Sequence, residues 1–175
     1  TDLGVTHRVV PTSREARKYW LIRRESFNLL RHHVTGLHTA PFIDDVAVRP
    51  EQLPAFLPAL YRVLGKYDLL YTIAGHVGDG NFHIIPLMDL TDPRSKTVIR
   101  QLADEVFRLA KRFGGSITAE HNDGLIRTPY LKSMFGPPVY QLFEQTKRAF
   151  DPQGIFNPGK KVGGDLTWSL NHLRT

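Results

Sequence analysis

The order of periodicities along the chain predicts an α+β domain, a mostly antiparallel sheet with helices packed against it. Three observations carry that expectation. Apolar residues recur at helical spacing in several segments, the first running from about Ser13 to His33. Two short β-like runs, Leu69 to Ala74 and Phe82 to Met88, lie close enough in sequence to pair as a hairpin. Gly36, Gly114-Gly115, Gly136 and Asp151-Pro152 punctuate the periodic stretches. The length of 175 residues suggests one domain or two very small ones, and with 41% of them hydrophobic, residues 1–175 read as a globular domain with a real core.

Each element has a local reason. Thr12, followed three residues later by Glu15, forms a capping-box signature for the first helix. Its apolar stripe uses Ala16, Tyr19, Trp20, Phe27 and Leu30 and passes through Arg23. That arginine reads either as a snorkelling side chain or as a carboxylate clamp. Pro41 to Val48 reads as a strand carrying Asp44 and Asp45, and Pro50 suits the first turn of a helix extending to Lys66. Asp92-Pro93 reads as the N-cap and N1 pair of a helix ending near Gly114-Gly115, with Ile99, Leu102, Ala103, Val106 and Ala110 on its inner face. Ser116 to Glu120 is expected as a short strand. Thr128-Pro129 and Pro137-Pro138 open two more helices. Beyond Gly154 the tail has little periodicity, and no structure is assigned there except a short segment near Asn157 to Val162.

Composition narrows the function. No apolar run approaches the roughly 20 residues of a membrane-spanning helix. The start, Thr-Asp-Leu-Gly-Val-Thr-His, has neither an initiating Met nor the basic and apolar regions of a signal peptide, so the chain is expected to be cut from a longer, cytoplasmic protein. Without cysteine there is no disulfide, thiolate metal site or cysteine nucleophile, and any metal site must use His, Asp and Glu. The net charge of +6 is dispersed in pairs such as Lys111-Arg112 and Lys160-Lys161, with no nucleic-acid motif beside them. A nucleic acid is not the expected partner.

The chemistry concentrates in His76-Val77-Gly78-Asp79-Gly80-Asn81-Phe82-His83. Asp-Gly between β-like runs signals a tight hairpin; with Asp79 and Gly80 as its two turn residues, His76 would face His83. Opposed side chains lie on one face with Cβ atoms about 4.5–5.5 Å apart, near enough to share a divalent cation. A pair of solvated cross-strand histidines is the plainer alternative. Glu120-His121 offers a third ligand. On a strand these neighbours would project to opposite sides, one as a ligand and the other free for proton chemistry. A strand-end hydrogen bond to the backbone is the plainer alternative for this pair. Two histidines and one carboxylate leave an open coordination position, as in catalytic zinc sites.

Three motifs in order, His76 to His83, Thr118-Ala119-Glu120-His121, and Phe150-Asp151-Pro152 to Phe156-Asn157-Pro158-Gly159-Lys160, strongly resemble the C-terminal domain of FAD-linked oxidases. That family includes D-lactate dehydrogenases, glycolate oxidase flavoprotein subunits and D-2-hydroxyglutarate dehydrogenases. Trp20-Leu21-Ile22-Arg23 and Phe42 to Val48 extend the resemblance over nearly the whole chain.

The resemblance implies a ferredoxin-like substrate or cap domain, closing over FAD held by a flavin-binding domain upstream. It implies oxidation of a D-lactate- or glycolate-like 2-hydroxy acid to a keto acid, with hydride transfer to FAD. Carried over residue by residue, His76, His83 and Glu120 match the ligands of a divalent metal such as zinc, and His121 the catalytic base. Arg23 and Asn81 match positions contacting the substrate and its carboxylate, and Asn157 a position near the flavin. Ile43 stands where members acting on a dicarboxylic hydroxy acid can carry Lys, which argues against hydroxyglutarate. Asn122-Asp123 follow Glu-His where many members have Gly. The segment His38 to Val46 and the end Asn171-His172-Leu173-Arg174 look most like variants fused to a downstream iron-sulfur module, which could rest the enzyme on a membrane through its electron-transfer partners. A metal-dependent hydrolase and a non-catalytic anion-binding module are the competing classes.

Overall fold

The computed structural model describes residues 8–173, with the side chains of residues 26–33 outside the description. The chain divides into two compact units, Thr1–Leu37 and His38–Thr175. In the first, helix α1 spans Ser13–His33, as its periodicity predicts. The Glu15 N–H donates to Thr12 Oγ1 at 3.3 Å and the Ala16 N–H to the Thr12 carbonyl at 3.0 Å, so Thr12 caps the helix. Tyr19, Trp20 and Arg23 are exposed; Phe27 and Leu30 fall among the side chains outside the description.

The second unit runs β1 (His38–Thr39), β2 (Val46–Ala47), α2 (Leu53–Leu64, entered through a 3₁₀ turn at Pro50–Gln52), β3 (Leu70–His76), β4 (Asn81–Met88) and α3 (Ser95–Arg112). The short helices α4 (Gly124–Arg127) and α5 (Leu131–Phe135) follow, then α6 (Pro137–Phe150) and α7 (Leu166–Asn171). The fold is α+β. Strand β4 is its hub: β3 pairs antiparallel along one edge, and β1 and β2 pair antiparallel with opposite ends of the other.

The period of two along β4 divides the sheet into two faces. Phe82, Ile84 and Met88 face a core filled by Phe56, Leu60 and Leu64 of α2 and by Ile99, Leu102, Val106 and Ala110 of α3. These helical positions recur at three or four residues, the spacing that turns one stripe inward. Asn81 and His83, out of phase with those core residues, project from the other face, and so does His76, which is in register with Asn81. The core thus backs a sheet whose opposite face carries Asn81, His83 and His76 beside the buried Ile85 and Leu87.

Four expectations change in the structure. The strand expected over Pro41–Val48 is confined to Val46–Ala47, because Asp45 takes a left-handed backbone with φ of 71° and breaks the extended run. Ser116–Glu120 is no strand: Ser116 forms a single bridge with Ala47, and the chain then bends. Asp92 does not cap α3; its carboxylate accepts the Arg94 N–H at 2.8 Å in a local turn, and the helix starts at Ser95. The tail carries its helix at α7, where Asp165 accepts the N–H groups of Thr167 and Trp168, while residues 157–162 form turns and bends.

Candidate metal centre

The β3–β4 hairpin supplies the first two ring donors, with a register two residues away from the one expected. His76 pairs with Asn81 and His83 with Ala74. A two-residue type I′ turn needs positive φ at both central positions, yet of Asp79 and Gly80 only Gly80 has it. The connection is instead a 3₁₀ turn, Val77–Asp79, closed by Gly80 with φ of 68° and by its N–H on the Val77 carbonyl at 3.0 Å. A shift of two residues preserves the face of every side chain. His76 and His83 therefore remain diagonal neighbours, their ring centroids 5.6 Å apart and their planes perpendicular.

Gly80 also sets where the hairpin lies. Its carbonyl accepts the Val48 N–H at 3.0 Å, and a Cβ at this position would sit 1.8 Å from the Val48 carbonyl oxygen. Only glycine permits that approach with that φ.

The third and fourth donors arrive on the bend after Ser116. Asp45, fully buried, gathers this bend: Oδ2 accepts the N–H groups of Ala119 at 2.8 Å, Glu120 at 3.1 Å and His121 at 2.9 Å. Its Oδ1 accepts from Asn81 Nδ2 at 3.1 Å. Burial opposes the charge of Asp45, but the N–H donors of His121, Ala119, Glu120 and Asn81 outweigh it and hold the carboxyl below its ordinary range. Behind it lies the buried Arg127 guanidinium, 3.7 Å from Asp45 Oδ2 and hydrogen-bonded to the carbonyls of Asp44 and Asn122. Burial pushes Arg127 below its ordinary pKa, against the charges of Asp45, Asp44 and Asp123.

Because three successive N–H groups converge on one carboxylate, residues 119–121 curl, and Glu120 and His121 do not point to opposite sides. Glu120 Oε1 lies 3.1 Å from His83 Nε2, 3.3 Å from His76 Nε2 and 3.5 Å from His121 Nε2. Ligands held at the zinc distances of about 2.0–2.1 Å and at tetrahedral angles stand about 3.4 Å apart. The donor set of imidazole and carboxylate suits a borderline divalent ion of the zinc class, and His83, Glu120 and His121 fit such an ion, their donor atoms lying within 4.8 Å of one another; His76 falls outside that mutual group and meets it through Glu120 Oε1. Asp45 also has an oxygen within 4.8 Å of donor atoms of His83, Glu120 and His121, but its oxygens are engaged by N–H groups, which makes it the frame of the site. The His83 side chain is 11% exposed, against 43% for His76, 47% for Glu120 and 46% for His121. The centre is backed by protein and open to solvent in front.

The remaining expected site residues divide. Asn81 is buried at the base of the centre, its Nδ2 spent on Asp45 and its Oδ1 without a hydrogen-bond partner among the described residues. Asn157 lies in a tail turn with φ of 45°, accepting from Lys160 Nζ. Arg23 belongs to α1 of the first unit, whereas the centre is built wholly from the second. No local sequence pattern assigns a role to Asp44, Asp45 or Arg127. The visible signal was two adjacent aspartates inside an otherwise apolar segment, Phe42-Ile43-Asp44-Asp45-Val46. Ile43 is fully buried in the core.

A family model described as FAD linked oxidases, C-terminal domain, matches residues 1–161. The chain belongs to this family. Among its relatives is a D-2-hydroxyglutarate dehydrogenase of Pseudomonas putida, 34% identical over 154 residues, which are 88% of this chain and 15% of that protein. The D-2-hydroxyglutarate dehydrogenase of Escherichia coli K12 is 31% identical over 82% of the chain and 14% of its own length. Glycolate oxidase subunit GlcD of Bacillus subtilis is 29% identical over 93% of the chain and 34% of its own length. The chain thus matches between 14% and 34% of the length of these relatives. Among the described residues of this FAD-linked oxidase domain, no helix is long and apolar enough to cross a membrane.

Proposed function

We propose that this chain is the substrate- and metal-binding domain of an FAD-dependent 2-hydroxy-acid dehydrogenase. The observation that carries the reading is the convergence of three imidazole Nε2 atoms on one Glu120 oxygen at 3.1–3.5 Å, in a family whose relatives are named for 2-hydroxy acids. Family membership favours this over a metal hydrolase or an anion-binding module.

His76, His83 and Glu120 would hold a divalent ion, zinc by donor chemistry, which when bound supplies Lewis acidity to a substrate hydroxyl. The flavin, bound mainly by the remainder of the protein, supplies the acceptor for the two electrons and hydrogen leaving C2. His121 acts as the base: its Nδ1 lies 3.0 Å from an Asp44 oxygen, which leaves Nε2 facing the centre to receive the hydroxyl proton. Asn81 contacts the substrate, a role that rests on the family resemblance. Arg23 binds the substrate carboxylate, and Asn157 approaches the flavin; both roles rest on the family resemblance. The length of the relatives beyond this segment accommodates a flavin-binding domain and, in the longer ones, an iron-sulfur electron-transfer module. Such an enzyme would work in the cytoplasm, or resting on a membrane through its electron-transfer partners.

The test is metal content and flavin reduction in the full-length protein. Elemental mass spectrometry after exposure to zinc, manganese and iron should find about one ion per chain, lost in His83→Ala. Anaerobic mixing with D-lactate, glycolate or D-2-hydroxyglutarate should bleach the flavin with at least one of them. No bound ion and no bleaching by any 2-hydroxy acid would overturn the assignment.

A further inference from the structure

Behind the centre sits a carboxylate that touches two of its rings at once. Asp44 Oδ1 lies 3.0 Å from His83 Nδ1, and Asp44 Oδ2 lies 3.0 Å from His121 Nδ1. The two rings stack with centroids 4.6 Å apart and planes within 10° of parallel, as two imidazoles held by one planar carboxylate would. We propose that Asp44 is the positioning residue of the centre, fixing the tautomer and orientation of His83 and His121 together through its two oxygens.

An ionised carboxylate only accepts hydrogen bonds, so each ring nitrogen facing it carries the proton. Both Nε2 atoms face Glu120 Oε1, at 3.1 and 3.5 Å, where a bound cation would take the place of the Nε2 proton and receive the lone pair. A neutral imidazole free in water can place its proton on either nitrogen; here one residue makes the same choice for two rings. The functional assignments of those rings differ, His83 as ligand and His121 as base. Asp44 therefore couples metal holding to proton transfer.

The placement of Asp44 suits that task. Its side chain is 13% exposed, its backbone carbonyl accepts from the buried Arg127, and its neighbour Asp45 is anchored to the 119–121 bend. Little freedom remains for the carboxylate to turn away. A metal-bound histidine commonly gives its second N–H to a carboxylate, and loss of that partner typically weakens metal binding about 10–100-fold. One carboxylate serving two imidazoles makes the dependence on two equivalent acceptor oxygens testable by an isosteric change.

Asp44→Asn preserves size but turns one acceptor into an NH₂ donor, which would meet a ring N–H head on. This test rests on the metal-site reading, and the wild-type protein checks that reading separately. Zinc affinity is measured in the full-length protein by competition with a chromogenic chelator, for wild type, Asp44→Asn and Asp44→Glu. Wild type should bind one zinc, Asp44→Asn should bind it about 10–100-fold more weakly, and Asp44→Glu, retaining two acceptors, should recover most of the affinity. At saturating zinc, Asp44→Asn should also lower kcat with little change in KM, through the misplaced His121. If Asp44→Asn does not fold, Asp44→Glu against Asp44→Gln gives the same contrast on a longer side chain. Equal affinity in the amide and carboxylate variants overturns the role of Asp44 alone; absence of zinc from wild type overturns the metal centre and this role with it.

Discussion

The carboxylate of Asp45 accepts the backbone N–H of His121 at 2.9 Å, across 76 residues of sequence. This contact, with those to Ala119 and Glu120, ties the bend carrying Glu120 and His121 to the residue just before β2. The geometry of the centre is therefore a property of the backbone frame as much as of the ligands.

Removing that frame should be costly. Asp45→Ala leaves three backbone N–H groups without their acceptor and the buried Arg127 without its nearest carboxylate. Breaking a buried charge pair by removing one partner costs about 3–5 kcal/mol. Urea unfolding of Asp45→Ala should show a loss of that order, or yield no folded protein. A loss below about 1 kcal/mol would mean that water or a rearranged bend replaces the carboxylate.

Two glycines in the hairpin should behave oppositely. Gly80→Ala forces a Cβ against the Val48 carbonyl at a left-handed φ, and should destabilise by about 1–3 kcal/mol while disturbing His76 and His83. Gly78→Ala meets open space at an ordinary φ and should lie within about 0.5 kcal/mol of wild type. Thermal unfolding of the two variants side by side checks the pair. Equal effects would contradict the docking of Gly80 on Val48.

The sequence was most legible where interactions are local. Thr12 and Glu15 marked the start of α1, and the spacing of Ile99, Leu102, Val106 and Ala110 marked the inner face of α3, because capping and helical periodicity operate within a turn or two. The donor residues His76, His83 and Glu120 stood out by residue type and family likeness. The hairpin register did not, since Asp79-Gly80 carries a two-residue turn signal that the close approach of Val48 overrides. The joint orientation of Glu120 and His121 was hidden for the same reason: Asp45, far away in sequence, curls a bend that local pattern reads as a strand. Helix α7, with six residues, is too short for periodicity to reveal.

The tail should depend on an ion pair at the edge of the site. The Lys161 ammonium meets the buried carboxylate of Asp123, two residues beyond His121, and the Lys161 N–H donates to Thr128 Oγ1 at 2.9 Å. Lys161→Met leaves the Asp123 charge buried and should cost about 2–3 kcal/mol, below the about 3–5 kcal/mol of a fully buried pair because the lysine is half exposed. Adding Asp123→Asn removes the stranded charge and should recover part of that loss. A double-mutant cycle by chemical denaturation measures the coupling, and a coupling near zero would detach the tail from the site loop.

Acid should loosen the turn after α6 through Asp151. Its oxygens accept the N–H groups of Ile155 at 3.0 Å and Phe156 at 2.9 Å and meet the Lys147 ammonium. The hydrogen bond from Lys147 lowers its pKa most, burial opposes this, and the Phe156 and Ile155 N–H groups lower it further. A carboxyl with a depressed folded pKa contributes stability that is fully present above its unfolded value, about 3.9, and is lost as pH falls through the folded value. Asp151→Asn lacks that titration. Wild type should therefore unfold at a higher temperature than Asp151→Asn at pH 7, with the gap closing as pH falls below about 4. Thermal scans of both proteins from pH 7 to about pH 2 measure it, and a gap that stays constant across that range would show that the charge of Asp151 contributes nothing to the turn.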